Sequence, residues 1–144
     1  MKYFFSAQGI GQQTGLGLIR ILVGALMIYH GLEVFNQSKM GEYAKWLGDI
    51  HFPAPTLLAY LGKGSEFAGG LMLTLGFLTR LAIIPIIATM AVICFGMSNG
   101  KFWMEDQHPF LFIILCLVFF FCGPGRFSLD KIIFKNKLPQ LKVS

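Results

Sequence analysis

The chain has 144 residues, of which 55% are hydrophobic and only 13% are charged, and its mean hydropathy is +0.65. A soluble domain carries about 25% charged residues, which keep its surface hydrated. This composition therefore excludes an ordinary soluble protein and predicts one covered by lipid. The formal net charge is +5, but the excess is concentrated near the C-terminus, which favours a membrane surface over a nucleic acid as the partner.

Four apolar segments follow one another, at residues 16–35, 55–77, 81–97 and 109–123. A bilayer core about 30 Å thick requires around 20 mostly apolar residues in a helix, because backbone groups find no water to bind there. The expected fold class is therefore all-α, a single membrane domain built as an integral membrane four-helix bundle. The first segment lacks a small-residue cleavage site behind it and is expected to stay in the membrane as an anchor.

The connections between these segments differ in character. Residues 36–54 mix charged and aromatic side chains, among them Lys45 and Trp46, which predicts a short interfacial helix after the first span. Only residues 78–80 separate the second and third segments, so these spans are expected to be antiparallel neighbours. Gly123-Pro124-Gly125 is expected to end the last span.

Basic residues outside the spans fall unevenly on the two sides of the membrane. Lys2, Arg80 and five residues of the tail lie on one side, whereas Lys39, Lys45 and Lys101 lie on the other. Because cytoplasmic segments carry the excess of Lys and Arg, both termini and the basic tail 124–144 are expected in the cytoplasm. The tail is expected either to lie along anionic headgroups or to be plainly solvated.

Five ionisable side chains lie within the first two spans: Arg20, His30, Glu33, Lys63 and Glu66. An unpaired charge at the centre of a span costs about 2.5–3.5 kcal/mol, so this set requires pairing or a function. Glycines recur every seven residues in the first and second spans, and helix periodicity predicts that Arg20 and Glu66 point toward the contact between these two glycine rows. Lys63 and His30 are expected at similar depths in the membrane. The pattern predicts a polar or ligand site made of Arg20, His30, Lys63 and Glu66. A purely structural Arg20–Glu66 pair is the alternative.

Three further residues are peripheral candidates for that site. Glu33 falls nearly opposite the glycine row and is expected to reach the membrane interface. Asn99 and His108 belong to the third connection, where they either cap a polar pocket or line an ordinary hydrated loop. No catalytic residue is assignable, because the chain has no phosphate loop, zinc-protease motif, nucleophile elbow or paired-histidine haem spacing. No metal site is expected.

Several short stretches occur in an order and spacing that resemble the DoxX family of small membrane proteins. They are Leu18-Ile19-Arg20, His30-Gly31-Leu32, Glu66, Gly69-Gly70, Gly76-Phe77-Leu78-Thr79-Arg80, Asn99-Gly100-Lys101-Phe102 and the run from Gly123 to Asp130. The resemblance extends over roughly residues 16–131. One position departs from it, since Val34 stands where many family members carry a lysine, whose role would be lost here or taken over by Lys63.

The resemblance implies a protein of the bacterial cytoplasmic (inner) membrane, with links in some relatives to quinone-dependent redox systems. On that basis the chain is expected to be a quinone-linked accessory subunit of a membrane oxidoreductase. Arg20, His30, Lys63 and Glu66 would bind the quinone headgroup while a partner protein supplies electrons. A small-molecule carrier or exporter and a membrane scaffold for a partner complex stay open as alternatives. The expected partners are membrane lipid and either another protein or a second copy of the chain, with no nucleic acid.

Overall fold

The computed structural model describes residues 11–97 and 107–134, which form helices and the turns between them. In chain order the helices are α1 (Gln12–Gly31), α2 (Gln37–Asp49), α3 (Pro55–Leu75), α4 (Thr79–Ala91), α5 (Gln107–Cys122) and α6 (Leu129–Phe134). A 3₁₀ segment, Leu32–Phe35, extends α1, and a π-helical segment, Val92–Met97, extends α4. These residues include no strand, so the predicted all-α fold is confirmed.

The helices pack around α3. It packs most extensively against α1 and also contacts α2 and α4, while α5 packs mainly against α4. The main core brings together apolar side chains from all four long helices: Val23, Met27, Leu73, Ile83, Ile86, Met90, Phe112, Cys116 and Phe119. A smaller core beneath α2 contains Met40, Leu47 and Ala59 and fixes α2 against the start of α3.

Within residues 11–97 and 107–134, two helical stretches are long and apolar enough to cross a membrane, Gln12–Phe35 with 24 residues and Thr79–Gly96 with 18. Helix α5 is apolar but has 16 residues, and α3 has 21 residues that include Lys63 and Glu66. The outward faces of the helices are apolar as well, since Leu22 is 64% exposed and Phe121 is 76% exposed. A surface of this kind suits lipid better than water. The number of four spans stays a prediction.

The turns follow from local sequence. Asn36 caps α2 by accepting a hydrogen bond from the backbone N–H of Lys39 at 3.2 Å, and Pro55 occupies the first turn of α3, where its missing N–H has no intrahelical partner anyway. Gly76 ends α3 with φ of 66°, a conformation that glycine adopts without strain. Helix α4 starts three residues later, as the short predicted turn requires.

The segment after α5 folds back onto the end of the bundle. The backbone N–H of Arg126 donates to the carbonyl of Gln13 at 2.6 Å, and that of Asp130 donates to the carbonyl of Gly76 at 2.9 Å. The start of the predicted tail therefore belongs to the folded domain. Residues 135–144 of that tail, and Asn99, lie outside the described residues.

Candidate functional site

A cavity of about 600 Å³ lies between α1, α2, α3, α4 and the start of α5. Most of its wall is apolar. Its ionisable and hydroxyl-bearing lining residues are His30, Tyr43, Lys63, Ser65, Glu66, Thr89 and His108. Binding sites for small molecules have volumes of about 300–1,000 Å³ and combine apolar walls with a few convergent polar groups. The cavity has both properties.

Lys63 connects two carboxylates at the polar end of this cavity. Its ammonium nitrogen lies 3.0 Å from Oε2 of Glu33 and 3.0 Å from Oε2 of Glu66. Glu66 is fully buried, with 0% of its surface exposed, whereas the side chain of Lys63 is 12% exposed. Because two carboxylates lie beside one ammonium, their mutual attraction offsets part of the free-energy cost of removing these charges from water. The i, i+3 spacing of Lys63 and Glu66 on α3 places them on one face.

Helix α2 supplies the remaining partners of Glu33. Lys39 forms an ion pair with Glu33 Oε1, and the phenol of Tyr43 donates to Oε2 at 2.6 Å. The hydrogen bond to Glu33 raises the pKa of Lys39. Burial, followed by the hydrogen bond to Glu33, raises the pKa of Tyr43 to about 12. Both groups therefore keep their protons at neutral pH. The ammonium of Lys63 also lies 4.9 Å from the centre of the Tyr43 ring, within cation–π range.

Two histidines from distant parts of the chain lie side by side in the cavity wall. The ring centres of His30, near the end of α1, and His108, in the first turn of α5, are 5.2 Å apart. The Phe112 ring packs edge-on against both, at 6.1 Å and 5.0 Å. His30 is half-buried and His108 is exposed. A neutral imidazole carries one donor and one acceptor, so this pair offers a ligand hydrogen bonds of either kind.

Three lining residues escaped the sequence interpretation: Tyr43, Ser65 and Thr89. The hydroxyls of Ser65 on α3 and Thr89 on α4 are 2.9 Å apart, and Ser65 also donates to the carbonyl of Gly62 at 2.8 Å. Ser and Thr side chains commonly form hydrogen bonds with backbone carbonyls of their own helix. Their presence in the sequence therefore does not by itself indicate a binding site. The position of Ser65 directly before Glu66, a charged residue within an apolar segment, was the available hint.

The alternative of an Arg20–Glu66 ion pair is wrong. Arg20 is fully buried, but its guanidinium donates to backbone carbonyls of Leu73, Thr74, Pro124 and Phe127. Glu66 pairs with Lys63 instead. The last carbonyls of α3 carry the negative end of the helix dipole, so they attract the guanidinium without a carboxylate. Arg20 consequently lies outside the cavity wall.

Glu33 also differs from its expected position. Helix periodicity placed it opposite the glycine row, yet it pairs with Lys63. The regular α-helix ends at Gly31, and Glu33 belongs to the 3₁₀ segment Leu32–Phe35. Since a 3₁₀ helix has 3.0 residues per turn rather than 3.6, the direction of Glu33 cannot be extrapolated from α1. Of the proposed residues, the structure brings together His30, Lys63, Glu66, Glu33 and His108.

The chain is similar to several known proteins. The DoxX family model matches residues 15–99. An uncharacterized membrane protein of Mycobacterium tuberculosis is 30% identical over 135 residues, covering 82% of this chain and 80% of that protein. A Bacillus subtilis protein named "Putative oxidoreductase CatD" is 26% identical over 126 residues, covering 87% and 91%. An uncharacterized protein of Haemophilus influenzae is 25% identical over 140 residues, covering 89% of each chain. No solved structure shows a significant match.

Proposed function

Since this chain belongs to the DoxX family of membrane proteins, whose model covers residues 15–99, we propose that it is a quinone-linked accessory subunit of a membrane oxidoreductase. The observation that carries the proposal is the apolar cavity with Lys63 and Glu66 at its polar end. A relative in Bacillus subtilis bears a name that calls it an oxidoreductase, which agrees with a redox role.

The shape and lining of the cavity suit an apolar ring with polar substituents. Phe52, Met90 and Phe112 form part of the wall and offer flat or flexible apolar surfaces to a quinone ring. Leu61 lines the cavity as well and is 57% exposed, so the cavity reaches the outward face of the bundle. An isoprenoid tail can leave there and stay in lipid while the headgroup lies near Glu66.

Reduction of a quinone adds two electrons and two protons and converts both carbonyl oxygens into hydroxyls. The protein supplies a chain of hydrogen-bonded groups for the protons. Lys39, whose side chain is 48% exposed, pairs with Glu33, which pairs with Lys63 and so with Glu66. The electrons come from a partner protein that carries a flavin or metal centre, since electron transfer needs such a group. This partner is required whether the chain acts as a single copy or together with a second copy of itself.

Direct binding of a short-chain quinone tests this function. Decylubiquinone would be added to the Trp103→Phe variant in lipid nanodiscs, so that the remaining tryptophan, Trp46 of the cavity wall, reports binding by fluorescence quenching. Saturable quenching is expected. Ala88→Phe should abolish it, because Ala88 lines the cavity and is exposed enough to accept a larger side chain.

Ala68→Phe is the matched control, since Ala68 is an exposed residue of α3 that does not line the cavity. Quenching should survive this change. Quenching that does not saturate, or that is identical in the two phenylalanine variants, contradicts a quinone site in the cavity. The membrane scaffold for a partner complex then becomes the better hypothesis.

The proposal also includes a location: the bacterial inner membrane, crossed four times by α1, α3, α4 with its π-helical extension, and α5, with both termini in the cytoplasm. The excess of basic residues at the Arg80 turn and in the tail supports this orientation. Reporters fused after Ser144 and inserted in α2 beside Trp46 would test this orientation. A reporter after Ser144 that is active outside the cytoplasm contradicts the orientation.

A further inference from the structure

We infer that the cavity prefers the reduced, hydroxyl-bearing form of its quinone ligand over the oxidised form, an inference that rests on the proposed function. It concerns the carboxylate of Glu66 and the hydrogen-bonding groups around it. A donor or acceptor that has no partner within the protein determines which form of the ligand binds more tightly.

One oxygen of Glu66 is available to a ligand. Oε2 accepts a hydrogen bond from Lys63 at 3.0 Å. Oε1 is buried and has no hydrogen-bond partner among the described residues. Glu66 itself is 0% exposed and lines the cavity. A buried acceptor without a donor is unfavourable, so a ligand that brings a hydroxyl hydrogen to Oε1 removes that penalty.

The donors beside Glu66 are already engaged. The ammonium of Lys63 lies between two carboxylate oxygens and the Tyr43 ring. The phenol of Tyr43 donates to Glu33, and the hydroxyl of Thr89 donates to the carbonyl of Pro85 at 3.0 Å. The polar end of the cavity therefore presents an acceptor, whereas His30 and His108 can serve either form of the ligand.

Charge balance favours the ionised form of Glu66. The linked groups are two ammoniums, Lys39 and Lys63, and two carboxylates, Glu33 and Glu66. They sum to zero only when Glu66 is ionised. An ionised carboxylate has no proton to donate and accepts strongly from a hydroxyl. A quinone carbonyl bears only lone pairs, which would face those of Oε1, whereas a quinol hydroxyl donates to it.

The expected preference follows from the strength of one charge-assisted hydrogen bond. Such a bond corresponds to a difference in dissociation constant of at least about tenfold. By linkage, tighter binding of the quinol makes reduction of the bound quinone more favourable by the same factor. Each tenfold preference raises the two-electron potential of the bound couple by about 30 mV.

The test compares dissociation constants for decylubiquinol and decylubiquinone, measured anaerobically by quenching of Trp46 in the Trp103→Phe background. The starting protein should bind the quinol at least about tenfold more tightly. Glu66→Gln should abolish the preference or reverse it, because the amide can donate to a quinone carbonyl. Glu42→Gln, a change at an exposed carboxylate of α2 outside the cavity wall, should leave the ratio unchanged.

A second measurement, on protein that retains Glu66, tests the inference even if the Glu66→Gln variant does not fold. The dimethyl ether of decylubiquinol keeps the ring and its two oxygen atoms but carries methyl groups in place of the hydroxyl hydrogens, so it should lose the advantage of the quinol. Equal binding of quinol and quinone, a preference for quinone, or undiminished binding of the ether overturns the inference while the proposed quinone site stands. Binding of none of these ligands overturns the proposed function itself.

Discussion

Nε of Arg20 donates a hydrogen bond to the carbonyl oxygen of Pro124 at 2.8 Å and so connects α1 to the segment that follows α5, 104 residues later. The other guanidinium nitrogens bind the carbonyls of Thr74 at 2.8 Å and Phe127 at 2.9 Å, as well as that of Leu73. A planar fork of donors suits this arrangement, because it can serve acceptors in several directions at once. Arg20 thereby fastens the end of α3 and the returning segment to α1.

Removal of this fork should strongly destabilise the bundle. Arg20→Ala removes the side-chain donor from the part-buried carbonyls of Thr74, Pro124 and Phe127, whereas the carbonyl of Leu73 still accepts from the backbone N–H of Gly76. Since a buried acceptor without a donor costs about 1–3 kcal/mol, we expect a total loss of about 3 kcal/mol. Arg20→Lys keeps the charge but not the fork and should recover less than half of the loss. Thermal unfolding in detergent measures both. The control is Arg126→Ala, at an exposed arginine nearby, and an equal effect there would contradict the role of Arg20.

The composition and periodicity of the sequence predicted the helical fold, the short helix α2 after the first apolar segment and the end of the last long helix at Gly123. These features depend on local signals: apolar runs, the caps at Asn36 and Gly76, and the break at Pro124. Each is encoded within a few residues of the place where it acts. They could therefore be read without knowledge of how the helices pack.

The partners of the charged residues could not be predicted in the same way. Arg20 binds carbonyls, which every residue has, so no side-chain pattern marks them. Lys63 on α3 contacts Glu33 in the 3₁₀ segment that follows α1. Partner choice thus depends on helix ends and tertiary packing. The group of His30, Lys63 and Glu66 was nevertheless identified, because charges within apolar helices are unusual wherever they pair.

Asp130 should stabilise α4 by binding the backbone N–H groups at the N-terminus of that helix. Its carboxylate accepts hydrogen bonds from the backbone N–H groups of Leu78 at 2.6 Å and Thr79 at 2.9 Å, which lie at the positive end of the helix dipole. Asp130→Ala should lower the free energy of unfolding by about 1–2 kcal/mol, as loss of an N-terminal cap does. Asp130→Asn should lose less, because one oxygen acceptor remains.

The matched control for Asp130 is Asp49→Asn. Asp49 is exposed and ends α2, where a negative charge opposes the helix dipole. Its neutralisation should leave the unfolding midpoint unchanged or raise it slightly. If Asp49→Asn and Asp130→Asn lower the midpoint equally, a general effect of charge rather than capping of α4 explains both.

The close approach of α1 and α3 depends on glycine at position 70. A Cβ atom there would lie 2.7 Å from the backbone nitrogen of Ile28 and 2.9 Å from the carbonyl oxygen of Gly24. Both contacts are with backbone, which cannot rotate away. Gly70→Ala should therefore push the helices apart and destabilise the protein by about 1–3 kcal/mol, the usual range for overpacking. Gly64→Ala on the same helix meets no atom within 4 Å and should be neutral or mildly stabilising in the same unfolding assay.

Tyr43 should make the stability of the protein sensitive to alkaline pH. Its pKa is raised from the ordinary value of 10 to about 12 by burial and by the hydrogen bond to Glu33. The folded protein therefore keeps the phenolic proton at pH values where the unfolded chain loses it. This contribution to stability is fully present below about pH 10 and is lost as the pH rises through about 12.

Tyrosinate absorbance should show a late-titrating component that disappears in Tyr43→Phe. It should persist in Tyr60→Phe, which leaves the groups around Glu33 intact, and its loss in both variants would show that the late component does not belong to Tyr43.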